Sequence, residues 1–303
     1  MFRHLFPCLL FCLATAAAQT SSAEDTPPAE SRPFFSRISG LFDFQLPELD
    51  PPGTIKLIFH PHVSDLLRRD YLRTEVGFRW TLNNNFELSA EASSYVTHGL
   101  GGGSDGYGIG ALRLGTKYIF KEWLHPEYEA SVAFDIEHPN GSPPLDMTDG
   151  QNHYRPSLTI QRHLHRNPKL TTFASVGLDV IAPSSARGAF GTNQPHDDSG
   201  SVTGGAIYDL GQIKWTFSAT YATTALIGDQ TEHYFYLRPS MLWYVPNKYT
   251  LNSKTQWIVG LGLRSTWGPD GYDFGVNTRV RAEITFRQVV AEIRERTWSK
   301  GSR

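Results

Sequence analysis

The stretch YLRTEVGFRWTL, residues 71–82, alternates apolar and polar side chains along its length. Leu72, Val76, Phe78 and Trp80 occupy one set of alternate positions, and arginine and glutamate occupy the other set. Side chains of a β-strand point to opposite faces in turn, so this stretch has one apolar face and one charged face. The pattern recurs along nearly the whole chain, which favours a barrel with lipid outside and a polar interior.

The same alternation defines about twelve strands from residue 54 onward. The predicted fold class is therefore all-β, an antiparallel transmembrane β-barrel of about 12 strands. The barrel domain is predicted over residues 53–287. The predicted strands are 54–63, 71–82, 86–96, 108–120, 128–137, 154–164, 170–181, 201–210, 213–222, 233–244, 257–267 and 274–286.

The connections between these strands are alternately short and long. Tight turns are predicted at 83–85, 166–169 and 211–212, where asparagine, proline and glycine are found. Bacterial barrels have short periplasmic turns and longer external loops, so both chain ends are predicted to be periplasmic. The segment 245–256 is long for a periplasmic turn. The longer loops are predicted at 97–107, 138–153, 183–200 and 226–232.

Aromatic residues fall near the ends of the predicted strands, on the outward set of positions. Tryptophan and tyrosine collect where a membrane meets water, so this placement predicts two aromatic girdles. The girdle beside the turns is predicted from Trp80, Tyr208, Trp215, Trp243, Trp257, Phe86, Phe120 and Phe286, and the opposite girdle from Trp267 and Phe274.

The N-terminus has the features of a secretion signal. A short basic start precedes an apolar run at residues 5–15, which is well short of the roughly 20 residues of a spanning helix. Three alanines follow the run, so a signal peptide is predicted over residues 1–18, with cleavage before Gln19 or, alternatively, after Ala23. Both cysteines, at positions 8 and 12, lie in this signal. The mature chain therefore has no disulfide, thiol or cysteine metal site.

Two segments flank the predicted barrel. Residues 19–52 are rich in proline, serine and glutamate, which predicts a flexible periplasmic leader with one short amphipathic helix at 34–44. Residues 288–303 are predicted to be a periplasmic tail, in which 288–298 form either a short helix or a strand extension. The net charge of −2 is mixed in sign, so no basic nucleic-acid face is indicated and no nucleic-acid partner is predicted.

Charged side chains dominate the inward positions. Either they tie neighbouring strands together inside a wet interior, or they form a lining that selects solutes. Large aqueous channels appear at about 16 strands, so a narrow or plugged conduit is predicted. The candidate lining residues are Arg73, Glu75, Arg79, Glu87, Glu91, Arg113, Lys117, Glu129, Asp135, Arg238, Arg264, Arg279, Arg281 and Glu283.

Two pairs of histidines are candidate metal ligands. His60 and His62 are expected to face the same inner side, and two such imidazoles can bind a metal. His163 and His165 have the same spacing. Neither pair has a carboxylate or third histidine in the required place on its own strand, so no metal site is predicted. No cofactor is predicted either.

Some outer-membrane barrels are lipid hydrolases, and a serine and a histidine occur together at His138 and Ser142. Because they lie on a loop rich in proline and glycine, nothing holds the two groups in hydrogen-bond reach. The sequence therefore predicts no catalytic residues and no enzyme.

The segments YGIGALRLGTKY (107–118) and DIEHPNG (135–141) resemble the outer-membrane barrels of the putative MetA-pathway phenol-degradation transporter family. The resemblance extends in layout over residues 54–286. It implies an outer-membrane channel for small organic compounds, and it supplies no catalytic residues.

The hypothesis is a narrow channel for small solutes in the cell outer membrane. Its expected partners are the lipid bilayer, lipopolysaccharide, the outer-membrane assembly machinery and a small solute. A structural or adhesive role without transport is the alternative, followed by an outer-membrane lipid hydrolase.

Overall fold

The computed structural model describes residues 46–63, 71–97, 106–123, 125–140, 150–182, 184, 198–224, 231–250, 254–269 and 271–300. The predicted signal peptide, the predicted helix at 34–44 and most of the predicted leader lie outside the described residues. Within the described ranges, no helix is both long enough and apolar enough to cross a membrane.

Twelve antiparallel strands form one closed barrel, in which each strand pairs with its neighbours in sequence and β12 pairs with β1. At the closure, Lys56 lies opposite Thr285 and Phe59 lies opposite Ala282. The predicted fold is thereby confirmed. The strands are β1 Ile55–Pro61, β2 Tyr71–Thr81, β3 Phe86–Thr97, β4 Tyr107–Phe120, β5 Tyr128–Pro139, β6 Asn152–His163, β7 Leu170–Ala182, β8 Ser199–Asp209, β9 Ile213–Thr224, β10 His233–Val245, β11 Gln256–Gly268 and β12 Gly271–Thr285.

The largest boundary difference concerns the start of β12, which begins at Gly271 rather than at residue 274. Gly268 and Gly271 lie opposite each other, so only two residues connect β11 to β12. Gly271 adopts a φ of +96°, a conformation that glycine tolerates without the penalty of a Cβ. Both strands therefore continue to this glycine pair, past the residues 267 and 274 at which the alternating pattern ends.

Asparagine and aspartate side chains hold two of the predicted tight turns. Asn83 Oδ1 accepts hydrogen bonds from the backbone N–H groups of Asn85 and Phe86, both at 2.9 Å. Asp209 Oδ1 accepts one from the N–H of Gly211 at 2.7 Å. Short polar side chains stabilise turns in this way because they replace a backbone acceptor. The end of the barrel with these turns is called the turn end, and the opposite end is called the loop end.

The outward positions of the strands expose large apolar side chains. Leu114 and Val176 are each 49% exposed, and Val76 and Phe78 are also exposed. Monomeric soluble proteins rarely leave so extensive an apolar surface in water, whereas a lipid-facing barrel requires one. The alternation in residues 71–82 therefore places its apolar set on the outside of the barrel, as predicted.

Aromatic side chains take outward positions at both ends. At the turn end, Trp80 and Trp215 are exposed, and the ring of Trp243 lies 6.3 Å from that of Tyr249. At the loop end, the ring of Trp267 lies 5.8 Å from that of Phe235 and 5.5 Å from that of Tyr272. These positions agree with two girdles of rings that have one apolar side and one polar edge.

A β-bulge in β4 changes which of its side chains face outward. Ser93 lies opposite Ala111, whereas Ser94 lies opposite Ile109, so Gly110 has no partner in β3. The extra residue shifts the alternation by one position. Ile109 and Leu112 are therefore both exposed on the outside although they are three residues apart. Strict alternation in the sequence did not reveal this bulge.

The chain after β12 forms helix α1, Phe286–Lys300. Of the two alternatives for residues 288–298, the helix is therefore the one observed. Gln288 Oε1 accepts a hydrogen bond from the backbone N–H of Thr285 at 3.1 Å, and Thr285 Oγ1 accepts one from the N–H of Gln288 at 3.4 Å. These reciprocal bonds form a capping box, which satisfies backbone donors where the strand ends and the helix begins.

The outward phase can be tested by placing a charge on each face. Leu114→Arg and Val176→Arg are each expected to lower the free energy of unfolding by about 2–4 kcal/mol, because the charge would enter lipid. Thr216→Arg is the control, since Thr216 faces inward and pairs in register with Ser240. Denaturant unfolding in lipid vesicles measures the difference. Equal losses for all three variants would contradict the assigned phase.

Candidate functional site

The inner face of the barrel contains the candidate lining residues. Most of them join a side-chain contact with a neighbouring strand, and these contacts extend from the turn end to the loop end. Inner positions of adjacent strands lie side by side, so long charged side chains on one face can meet. The arrangement consists of three groups of contacts, described below from the turn end upward, and a few separate pairs.

At the turn end, Lys117 is central to the first group. Its Nζ lies 3.2 Å from Glu87 Oε1, and both side chains are only 7% exposed. The same Nζ donates to the backbone carbonyl of Glu48 at 2.9 Å and to that of Leu46 at 3.5 Å. A buried ammonium needs several acceptors to replace lost water, and the segment before β1 supplies two of them.

A second contact of the same segment lies on β1. Lys56 Nζ is 2.7 Å from Asp50 Oδ1 and 3.3 Å from Glu283 Oε2, while Arg281 Nε is 2.8 Å from Glu283 Oε1. Residues 46–50 therefore touch inner-face lysines of both β4 and β1. The alternating pattern marks Lys117, Arg281 and Glu283 as inward, but it does not reveal this segment, because the contact with β4 joins residues about 70 positions apart.

The middle group includes the ion pair between Arg113 and Asp135, with Nη2 2.9 Å from Oδ2. Glu91 lies opposite Arg113 in the register of β3 and β4. Gly115 makes room for this pair, since a Cβ added there would lie 2.3 Å from Asp135 Oδ1 and 2.4 Å from Ser89 Oγ. Glycine at this inner position therefore lets the carboxylate lie against the barrel wall.

A pocket on the inner face lies beside the middle group. Its charged and imidazole lining residues are His60, Glu75, Arg79, Glu91 and Arg281. Arg79 is diagonal to both Glu87 and Glu91, because it lies opposite Ser89. Glu87 forms its ion pair with Lys117.

Glu75 contacts His60 of β1 and His62, which directly follows that strand. Its Oε2 lies 2.9 Å from His60 Nδ1, and its Oε1 lies 3.3 Å from His62 Nε2. The carboxylate that the sequence of β1 lacks is thus present on β2.

At the loop end, Arg155 forms a third group with two acids. It donates from Nη1 to Glu137 Oε2, and its Nε lies 3.4 Å from Asp179 Oδ2. Asp179 also lies 2.9 Å from His153 Nδ1, and all of these groups except Glu137 are nearly fully buried. Asp179 was missed in the sequence, although the apolar residues 176, 178 and 180 mark it as an inward position.

The remaining candidate residues form separate contacts. Glu129 accepts a hydrogen bond from Gln161 Nε2 at 2.7 Å, and Arg264 Nη2 lies 2.9 Å from Asp273 Oδ2. Arg238 lies over the ring of Tyr236, 5.9 Å from its centroid. The last two candidates, on inner positions of β2 and β12, are Arg73 and Arg279.

The His153 group resembles part of a hydrolytic triad in composition but not in order. Ser199 lies opposite Asp179 on β8, whereas His153 lies on β6, so the acid is between the serine and the histidine. A Ser-His-Asp triad needs the histidine in the middle. His138 contacts Asn152 Oδ1 at 2.6 Å, and Ser142 lies outside the described residues.

One charged pair lies outside the barrel wall at the turn end. Arg162 Nη2 is 2.9 Å from Glu127 Oε2, and the hydrogen bond from Arg162 holds the pKa of the Glu127 carboxyl below its ordinary value. Arg162 takes an outward position of β6. It can therefore serve as a control for the arginines that face the interior.

Comparison with known proteins supports the fold. No family model and no curated protein sequence matches the chain. The chain is similar to the COG4313 outer membrane channel from Pseudomonas putida F1, with a TM-score of 0.51 and 12% identity over 80% of this chain and 99% of that one. At this identity the likeness concerns the barrel fold alone.

Two porin structures show a looser likeness. The KdgM porin in complex with disordered oligogalacturonate matches with a TM-score of 0.41 and 12% identity, over 77% of this chain and 99% of that one. The NanC porin matches with a TM-score of 0.41 and 10% identity, over 76% of this chain and 97% of that one. Likenesses at this distance carry no argument about function, and the resemblance to the phenol-degradation family stays a prediction.

The space at Gly115 gives a test of the middle group. Gly115→Ala is expected to destabilise the barrel by about 1–3 kcal/mol, the usual cost of overpacking, because the new Cβ displaces Asp135 from Arg113. Gly204→Ala is the matched control, since a Cβ there has nothing within 4 Å. Thermal unfolding in detergent measures both variants. A Gly115→Ala variant as stable as Gly204→Ala would refute the close packing.

Proposed function

We propose that the protein is a narrow, charge-lined channel for small solutes in the cell outer membrane. The observation that carries the proposal is the inner face, where charged side chains extend from Lys117 at the turn end to Arg155 at the loop end. A closed barrel with this lining and an apolar exterior has the two surfaces that a water-filled path through lipid requires.

The lining favours passage over a purely structural role. Moving a charged group away from bulk water costs free energy even when it is paired, so a barrel that served only as an anchor gains little from many inner charges. A solute path, in contrast, needs polar groups that replace the water around a passing molecule. The inner charges therefore have a use in a channel that they would not have in a structural anchor.

The path is narrow. Barrel diameter grows with strand number, and wide aqueous channels appear at about 16 strands. In this barrel, residues 46–50 also contact inner-face lysines at the turn end, which reduces the free cross-section there. Small solutes rather than polymers are therefore the proposed cargo, and small organic compounds are the finer proposal from the family resemblance.

The outer membrane is proposed because an apolar outer face and a predicted signal peptide occur in the same chain. Lipid, lipopolysaccharide and the outer-membrane assembly machinery are then its expected partners. The similar structure from Pseudomonas putida F1 is an outer membrane channel, which agrees with this location. Membrane fractionation and a heat-dependent shift on gels test the location, and recovery of a detergent-free soluble monomer would contradict it.

Neutralising inner arginines tests conduction in planar bilayers. Arg79→Gln and Arg113→Gln each remove a positive charge from the interior, so we expect the reversal potential in a salt gradient to shift toward cation preference. Arg162→Gln is the control, since this arginine faces outward. An equal shift in all three variants would refute the lining. A silent bilayer without solute-driven liposome swelling would favour the structural or adhesive role.

The contact between residues 46–50 and the barrel gives a second electrical test. Asp50→Asn removes the ion pair with Lys56 and is expected to raise the single-channel conductance, because the segment is held less firmly in the path. Asp209→Asn is the matched control, since Asp209 pairs with Lys214 of the next strand at 3.0 Å at the same end. Unchanged conductance in Asp50→Asn, or an equal rise in Asp209→Asn, would contradict a narrowing role.

A further inference from the structure

Two histidines at the end of β1 and a glutamate of β2 meet on the inner face of the barrel. His60 lies directly opposite Glu75 in the register, and His62 follows two residues later, on the same face of the chain. Each imidazole contacts a different oxygen of the carboxylate, at 2.9 Å and 3.3 Å. One nitrogen from each histidine and one oxygen of Glu75 all lie within 4.8 Å of one another.

The spacing of these atoms suits a small divalent metal ion. Zinc binds imidazole nitrogen and carboxylate oxygen at about 2.0–2.2 Å, which places neighbouring ligand atoms of a tetrahedral site about 3.4 Å apart. The contacts between Glu75 and the two histidines are already close to this spacing. Because the three ligand atoms lie up to 4.8 Å apart, rotation of the side chains would have to bring them closer together before they could share one centre.

The two imidazole rings are already held near each other. Their centroids are 4.8 Å apart with an angle of 29° between the planes, so the pair is stacked. His60 is buried, whereas His62 and Glu75 remain partly accessible. The site thus has a fixed inner ligand and an accessible side, on which a water molecule or a solute group would complete the coordination of a zinc ion.

The charges around the cluster balance. The adjoining pocket contains Glu91 in addition to Glu75, and it contains the arginines Arg79 and Arg281. Arg73 takes the inner position of β2 beside His62, whose backbone N–H donates to the Arg73 carbonyl at 2.9 Å, and Glu283 lies 2.8 Å from Arg281. Three acids therefore offset three arginines around the cluster, so no excess of positive charge excludes a divalent cation. The nitrogen-rich ligand set favours a transition metal such as zinc over calcium or magnesium, which prefer oxygen ligands.

We propose that His60, His62 and Glu75 form a binding site for a divalent transition metal, with zinc as the metal to be tested. Metal binding at this site does not require the barrel to conduct solutes, so the site is independent of the proposed channel. An ion held there would place a positive charge on the wall of the interior. Bound metal would then alter any solute path that passes this pocket.

The chain contains a pair of histidines that serves as an internal comparison. His163 and His165 have the same spacing, but their contacts diverge, with His163 3.6 Å from Glu129 and His165 3.7 Å from Glu127. The nitrogens of His163 also contact Gln161 and Thr171 at 3.2 Å. Two histidines directed at two different acids do not share a centre, so equal spacing in sequence does not create an equal site.

Calorimetric titration with Zn²⁺ tests the proposal on the full mature chain, purified in detergent with a tag that lacks histidine. We expect one binding site in the wild type. His60→Ala and Glu75→Gln should each weaken Zn²⁺ affinity by roughly 100-fold or more, because loss of an outer-shell partner alone costs about 10–100-fold. The control His163→Ala should bind Zn²⁺ as the wild type does.

Folding is checked for every variant by the heat-dependent shift on gels, and His62→Ala replaces any variant that fails to fold. The proposal is overturned if the wild type takes up no Zn²⁺, or if the folded His60, His62 and Glu75 variants bind it with wild-type affinity. It is overturned as well if His163→Ala weakens binding as much as His60→Ala does. Because binding is measured directly, a silent bilayer would leave this result unaffected.

Discussion

Backbone hydrogen bonding inside an apolar surrounding is the constraint on which the rest of this structure depends. An unpaired N–H or C=O group in lipid costs several kcal/mol, so a sheet can cross a membrane only when it has no open edge. The pairing of β1 with β12 removes that edge. Closure in turn divides every strand into an outward set and an inward set of side chains, and the composition of each set follows from what it faces.

The inner charges are tolerated because they are arranged along the wall. Arg113 reaches Asp135 on the next strand, Lys117 reaches Glu87 on the preceding strand, and Arg155 joins acids from both neighbouring strands. Removing one member of such a buried pair leaves an uncompensated charge, which is costly. These cross-strand pairs therefore fix the register of the barrel as well as line its interior.

Sequence alone predicted the strand number, the faces and most of the inner charges, since alternation is a local property that residues 71–82 display without any knowledge of their partners. It did not predict the bulge at Gly110, because one unpaired residue is recognised only against the opposite strand. It also did not predict the meeting of His62 with Glu75, or of Lys117 with the carbonyl of Glu48. Those contacts depend on register and chain path, which are set by closure rather than by local pattern.

The balance of positive and negative side chains on the inner face determines how the proposed channel would bind solutes. Arginine–carboxylate pairs along the wall leave little net charge, so the interior does not focus a field of one sign as a single-charge ring does. Conduction needs a solute to bind well enough to enter and weakly enough to leave. A lining of paired charges meets both needs, since it offers donors and acceptors to a polar solute without holding it by an unopposed charge. Preference among solutes would then depend on the local arrangement around Arg79 and Glu91, where the pocket interrupts the wall.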